Sequence, residues 1–123
     1  MITSVGFPAM RDEVIAALGS LADPQHQQLR WGVNEPGVNY YDDLTLNIHV
    51  LYDDSQVLPN PSAALGAVLH DEEVDAFLAL HTALEPLLDE LGDRPDRDYI
   101  ADPRWPSVIA AARAALEAMR NSE

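Results

Sequence analysis

The chain has 123 residues, of which 47% are hydrophobic, enough to bury one core, and we therefore expect a single domain over 1–123. Its 21 acidic residues face seven cations, which gives a formal net charge of −14 at pH 7. This balance argues against a nucleic-acid partner, because affinity for phosphate backbones comes from clustered cations. All seven cations are arginine, so a lysine Schiff base and a P-loop are excluded.

Hydropathy and cysteine usage indicate the compartment. Asp, Glu, Arg or Pro interrupts every apolar stretch well before the ~20 residues that a membrane-spanning helix needs. Residues 1–8 lack the basic start of a signal peptide. The chain has no cysteine, which agrees with a reducing environment. We therefore expect a cytoplasmic protein without a membrane partner.

Helical periodicity dominates the chain. A first helix is predicted over 8–21, a second from the Asp23-Pro24 cap to about Trp31, a long helix from Asp71 to Gly92 and a final helix from Trp105. A short helix is predicted over 63–69, and 93–98 is predicted to be a linker. The predicted buried positions are Met10, Val14, Ala17, Leu18 and Leu21, then Val74, Phe77, Leu78, His81, Leu84, Leu88 and Leu91, then Val108, Ile109, Ala112, Ala115, Leu116 and Met119.

The segment 44–52 fits two periods. Leu44, Leu46, Ile48 and Val50 alternate with polar residues as in a strand, whereas Leu44, Ile48 and Leu51 also fit a helical stripe. Only very short segments near 2–5 and 56–58 offer a strand partner, so helix is favoured. The prediction is an all-α bundle of about five helices, and the alternative is an α+β fold with one short hairpin around 44–58.

Two acidic clusters raise the question of a metal or an active site. Tyr-Asp-Asp occurs at 41–43 and 52–54, eleven residues apart, which is about three helical turns. Carboxylates there, with His49, are candidate ligands for a divalent cation, but helix capping at Asp42 or Asp43 and turn chemistry at Asp53 and Asp54 are the favoured explanation. We predict no metal, no cofactor and no catalytic residue. The competing hypothesis is a metal- or ligand-dependent enzyme or ligand-binding domain that uses His49, Asp53, Asp54 or the acidic cluster at His70.

The loop 32–41 contains glycine, asparagine and proline and sustains neither period. Aromatic and acidic side chains at this loop are typical of protein-binding surfaces, and acidic fields speed the encounter with basic partners. The predicted partner-binding residues are Trp31, Tyr40, Tyr41, Asp42 and Asp43. The alternative is that Trp31 and one tyrosine close the core over the loop. The predicted function is therefore a non-enzymatic domain that binds a basic protein, and its oligomeric state is left open.

Three stretches carry a resemblance to known proteins: YYDDLTLNIHVLYDD, PNPSAALGAVLHDEEV and DPRWPSVIAAA. Together they resemble an uncharacterised family of small acidic bacterial proteins, chiefly actinobacterial, over most of the chain from Trp31 onward. That resemblance implies no particular activity. The acidic-capped apolar run, the Glu-Glu pair and the late tryptophan also look like some immunity proteins that neutralise bacterial toxins, which implies a toxin-like protein partner but no specific site residue.

Overall fold

The computed structural model describes residues 5–33, 36–37 and 41–122, and within them the fold is built from helices. The α-helices are α1 Pro8–Leu21, α2 Pro24–Arg30, α3 Leu44–His49, α4 Val74–Leu91, α5 Asp96–Ala101 and α6 Trp105–Asn121. A π-helical turn, Val50–Asp54, and two 3-10 helices, Pro61–Ala64 and Asp71–Glu73, lie between α3 and α4. The described ranges contain two isolated β-bridges and no strand. The all-α prediction is confirmed, and the hairpin alternative around 44–58 is wrong.

Local sequence signals set the helix starts. Proline occupies the first turn of α1, α2 and α6, where its missing N–H costs nothing. Asp23 caps α2 by accepting from the backbone N–H of His26 at 3.1 Å. Asp43 caps α3 by accepting from the N–H of Leu46 at 2.8 Å. These are the side chains for which capping was predicted, because an N-cap carboxylate satisfies otherwise unpaired N–H groups.

The core forms where α1 and α4 pack on α6. Helix α1 buries Val14, Ala17, Leu18 and Leu21, and α6 buries Val108, Ala112, Ala115, Leu116 and Met119, as predicted. In α4, burial was predicted correctly for Phe77 and Leu84 but not for Leu78, which is 43% exposed. Leu80 and Leu87 are buried instead, because the leucine-rich sequence of α4 offers two overlapping stripes and the contact with α6 selects one. None of the described helices combines the length and apolar character needed to cross a bilayer.

The connections depart from the sequence-based predictions at two places. Over 63–69 the chain forms the end of a 3-10 helix and then a turn at Gly66, whose φ is +79°, instead of a helix. The predicted linker 93–98 contains the start of α5. Pro95 stands at the N-cap of α5, and Asp96 and Asp98 follow in its first turn, where carboxylates stabilise the positive end of a helix.

A π-helical turn extends α3 from Val50 to Asp54. The sequence favours helix as far as Tyr52 and turn chemistry at Asp53 and Asp54. The N–H of Ser55 donates to the carbonyl of Val50 at 2.9 Å, a bond that spans five residues. The Ser55 hydroxyl donates to the same carbonyl at 2.6 Å. The turn buries Leu51 and leaves Asp53 and Asp54 exposed. Asp54 is therefore the last residue of the π-helical turn.

A buried ion pair joins α1 to the start of α4. The Arg11 guanidinium donates to both Glu73 carboxylate oxygens, at 2.7 and 2.6 Å, and to the carbonyls of Val68 and Met119. The backbone N–H of His70 donates to the Glu73 carboxylate at 2.8 Å. Burial by itself raises the pKa of Glu73, but the hydrogen bonds from Arg11 and His70 outweigh it and hold this pKa below its ordinary value. Four segments of the chain therefore meet at one bidentate contact.

Two glycines should respond oppositely to alanine. Gly92 ends α4 at φ +50° and ψ −121°, a conformation that side chains disfavour, so Gly92→Ala should cost about 1–3 kcal/mol. Gly19 lies inside α1 with nothing within 4 Å of an added Cβ, so Gly19→Ala should stabilise by about 0.5–1 kcal/mol. Urea unfolding of both variants gives the signs. A stabilised Gly92→Ala would contradict the backbone conformation at the end of α4.

Candidate protein-binding surface

The predicted surface residues divide between the core and the exterior. Trp31 is 8% exposed and packs edge-on against Trp105, with ring centroids 5.9 Å apart. This position agrees with the alternative interpretation, in which Trp31 closes the core. Tyr41 is 44% exposed, and Tyr40 lies outside the described residues. Tyr41 is therefore the predicted aromatic residue that the structure presents to solvent.

Asp42 is the centre of a polar cluster that joins three helices. One carboxylate oxygen accepts from the Ser20 hydroxyl at 2.6 Å, from the Trp31 indole N–H at 3.2 Å and from Nε2 of His26 at 2.8 Å. The other oxygen accepts from the Asn47 amide at 3.0 Å and from the N–H of its own neighbour at 3.0 Å. A carboxylate only accepts, so these five donors occupy it from within the protein. Asp42 connects α1, α2 and α3.

Ser20 and Asn47 complete this cluster, although the sequence analysis did not single them out. Ser20 is buried and also accepts from the Trp31 indole at 2.8 Å and from the Asn47 amide at 3.1 Å. Asn47 is 5% exposed and donates to the carbonyl of Asp43. A polar residue inside an amphipathic helix is usually on its solvated face, so only the packing of α1 against α3 shows that both are partners of Asp42.

Asp43 and Tyr41 form a second, exposed pair. The Tyr41 hydroxyl donates to the Asp43 carboxylate at 2.8 Å, while the other oxygen of that carboxylate caps α3. The hydrogen bond to Asp43 raises the pKa of Tyr41, so its phenol stays protonated at neutral pH. Asp42 and Asp43 therefore both form hydrogen bonds that stabilise the fold. Their replacement is expected to change stability as well as binding.

A groove of about 540 Å³ lies between α1 and α3, with Asp23 and His26 at its α2 end. We call it the acidic groove, because carboxylates line it and no arginine occurs among its described lining residues. The carboxylates belong to Glu13, Asp23, Asp42 and Asp54, and Ala16, Leu46 and Val50 supply apolar surface. Tyr41 stands at its edge. The arrangement is suited to an extended cationic segment with some apolar character.

The residues of the competing metal hypothesis do not converge on one cluster within the ranges that the structure describes. His49 and Asp53 form an exposed hydrogen-bonded pair one turn apart. Near His70, the Glu73 carboxylate is already bound by Arg11. In the described part of the chain, no three His, Asp or Glu side chains are grouped so that they could hold a metal ion. Among the described residues, the side chains of this hypothesis therefore do not form a metal-binding cluster.

A further polar contact involves Tyr52 in the π-helical turn. Its hydroxyl lies 2.9 Å from Nδ1 of His81, and the other ring nitrogen of His81 lies 3.1 Å from Glu85. Burial raises the pKa of Tyr52 to about 12, so this tyrosine is neutral at physiological pH. His81 is partly buried and hydrogen-bonded, and it links α4 to the π-helical turn.

Comparison with known proteins adds a family but no activity. The family model described as "Domain of unknown function (DUF7945)" matches residues 5–123. This match confirms the expectation of an uncharacterised family. No curated protein and no solved structure matches the chain.

Proposed function

The chain belongs to the DUF7945 family, described as a domain of unknown function. Because the family supplies no activity, we propose a function from the surface chemistry of the chain: it binds a basic protein. The acidic groove receives cationic side chains of that partner, and Tyr41 packs beside them. The proposal involves binding alone, without a catalytic residue, metal or cofactor. It agrees with the formal charge of −14, because an acidic field accelerates encounter with a cationic partner.

The observation that carries the proposal is the state of two carboxylates in the groove. Glu13 and Asp54 are exposed, and neither forms a hydrogen bond or ion pair with the described residues. Some carboxylates outside the groove have arginine partners: Arg104 contacts Asp102 and Glu90, and Arg94 lies near Asp98. Others, such as Asp89 and Glu117, are exposed and have no partner among the described residues, so what distinguishes Glu13 and Asp54 is their position in a groove. Uncompensated charge in a concave surface concentrates the electrostatic field and attracts counter-charged groups.

Apolar surface at the edge of the groove supports a protein partner over a simple cation. Tyr41 and Leu46 are 44% and 45% exposed and line the groove together. A tyrosine ring beside carboxylates suits an arginine, which can stack on the ring and pair with the acid. Such aromatic residues are enriched among those that dominate binding energy.

An immunity or antitoxin protein is the most concrete form of this proposal. Its support is the acidic groove, which suits a basic partner; the comparisons show no resemblance to toxin-neutralising proteins. We propose the cytoplasm as the compartment, because the chain has no cysteine and therefore needs no oxidising environment.

Neutralising the two free carboxylates of the groove should weaken cation binding more than the same charge change elsewhere. Glu13→Gln with Asp54→Asn is compared with Glu117→Gln and Asp89→Asn, whose carboxylates are exposed on α6 and α4. The probe is a blocked tetra-arginine peptide at about 0.15 M salt, where distant surface charges are largely screened. We expect about fivefold weaker binding for the groove pair and less than about twofold for the control, since close uncompensated charges contribute most.

Nuclear magnetic resonance titration measures both affinity and position. Shifts should concentrate at Glu13, Leu46 and Asp54 and require about fivefold more peptide in the groove variant. Equal weakening by the control pair would show that the peptide responds only to total charge. The proposed site in the groove would then be wrong.

A further inference from the structure

A second hollow, of about 610 Å³, lies between the start of α1 and the chain around the first 3-10 helix. We call it the apolar hollow. Its apolar lining includes Phe7, Met10, Leu58, Pro59, Ala63 and Val68. Leu58 and Val68 belong to the buried core, whereas Phe7 is 64% exposed. The hollow therefore offers an apolar floor and an aromatic rim, within the size range of sites that hold a large side chain.

Polar groups at the edge of the hollow have unused hydrogen-bonding capacity. Gln56 and Asn60 line it and are exposed. Their side-chain amides form no hydrogen bond with the described residues. Each amide offers a carbonyl acceptor and two N–H donors, which suits the backbone of an extended peptide passing over the hollow.

Asp54 lines both the apolar hollow and the acidic groove. The two cavities are also connected along α1: Met10 lines the hollow, and Glu13, Ala17 and Ser20 line the groove at steps of three or four residues. Residues at this spacing share one face of a helix. From Met10 to Ser20 the helix rises about 15 Å, which an extended chain covers with about five residues. The two cavities thus form one strip along α1.

We infer that the apolar hollow takes a large apolar side chain of the same basic segment that enters the acidic groove. This inference rests on the proposed function and names the partner motif: a stretch of about five extended residues with cations at one end and an aromatic or large aliphatic residue at the other. Asp54, between the cavities, contacts the cation nearest to the apolar residue. The unpaired charge of Asp54 makes a cationic neighbour of the apolar side chain more favourable than a neutral or acidic one.

The test compares blocked peptides of equal charge. One carries tetra-arginine alone, two carry tetra-arginine with tryptophan joined through glycine at either end, and a matched peptide has serine in place of tryptophan. We expect one tryptophan peptide to bind about tenfold more tightly than the serine peptide, since burying much of an indole removes a large apolar area from water. Its additional resonance shifts should map to Phe7, Ala63 and Gln56.

Filling the hollow gives the specific control. Ala63 is exposed and lines the hollow, so Ala63→Trp should occupy the cavity without disturbing the core. Ala79→Trp adds the same side chain at an exposed position of α4. Ala63→Trp should abolish the tenfold gain and leave tetra-arginine binding unchanged, whereas Ala79→Trp should change neither. Phe7→Ala provides a second variant that removes only the rim and should reduce the gain.

Each contrary result has one meaning. Equal binding of tryptophan and serine peptides, with shifts confined to the groove, overturns this inference and leaves the proposed function standing. Absence of tetra-arginine binding to the groove overturns the proposed function and, with it, the shared motif. N-acetyltryptophanamide serves as a small-ligand control. If it binds the hollow with the same affinity as the tryptophan peptides, the hollow is a site for small apolar ligands and the inference is overturned.

Discussion

Arg11→Met should destabilise the protein by about 3–5 kcal/mol, because it leaves the Glu73 carboxylate buried without its countercharge. The Glu73 side chain is fully buried, and Arg11 supplies two of its hydrogen bonds. The double variant Arg11→Met with Glu73→Leu removes both charges and should recover most of the loss, because well-packed apolar residues often replace a buried ion pair without net cost. Urea unfolding at neutral pH measures both variants.

The pH dependence separates the ion pair from simple packing. In the parent protein the folded-state pKa of Glu73 is lowered, so its stabilising contribution is present above the ordinary glutamate pKa and is lost as pH falls through the folded value. In Arg11→Met, burial without arginine should raise that pKa. The penalty should therefore shrink as pH falls from 7 toward about 4.5. A penalty independent of pH, or a double variant as unstable as the single one, would contradict the role of the pair.

Asp42→Asn should cost about 2–4 kcal/mol, because the amide replaces an acceptor with a donor where several donors converge. Ser20, His26 and Trp31 contact one carboxylate oxygen and Asn47 the other. Whichever way the amide is oriented, its nitrogen faces at least one N–H donor. When the amide nitrogen lies on the side of Trp31, the buried indole N–H loses one of its two acceptors, which should change the tryptophan fluorescence.

Asp43→Asn is the matched control for Asp42→Asn. It removes the same charge one residue away, and asparagine caps helices about as well as aspartate, so the expected cost is a few tenths of a kcal/mol. Denaturant unfolding monitored by fluorescence compares the two variants. Equal costs would mean that the Asp42 cluster contributes no more than an ordinary cap.

Local signals predicted most of the helices and failed where contacts distant in sequence decide. The stripes of α1 and α6 and the caps Asp23 and Asp43 depend on residues three or four positions apart, which a sequence displays directly. Leu78 was placed on the wrong face because only the contact with α6 selects between two stripes in α4. Helix was predicted as far as Tyr52, but its continuation as a π-helical turn was missed because Asp53 and Asp54 also suit an ordinary turn.

Which residues bind a partner stays a prediction, but the structure shows what the predicted residues do within the fold. Tyr41, Asp42 and Asp43 directly precede α3. Their roles differ, since Asp42 satisfies five internal donors and Asp43 caps a helix. Glu13 was not singled out, and Asp54 was named only for the competing metal or ligand hypothesis, because the groove forms only when α1 packs against α3. The partner chemistry and the function remain proposals.

The position of α6 in the core constrains the order of folding during synthesis. Helices α1 and α4 both pack on α6, and the Arg11 guanidinium donates to the carbonyl of Met119 near the end of that helix. Until α6 emerges from the ribosome, the apolar faces of α1 and α4 have no complete partner. Such exposed surface favours aggregation and chaperone binding in nascent chains. The acidic residues that surround these faces would keep growing chains apart by mutual repulsion, so the charge on which the proposed partner binding depends would also protect the protein before it has finished folding.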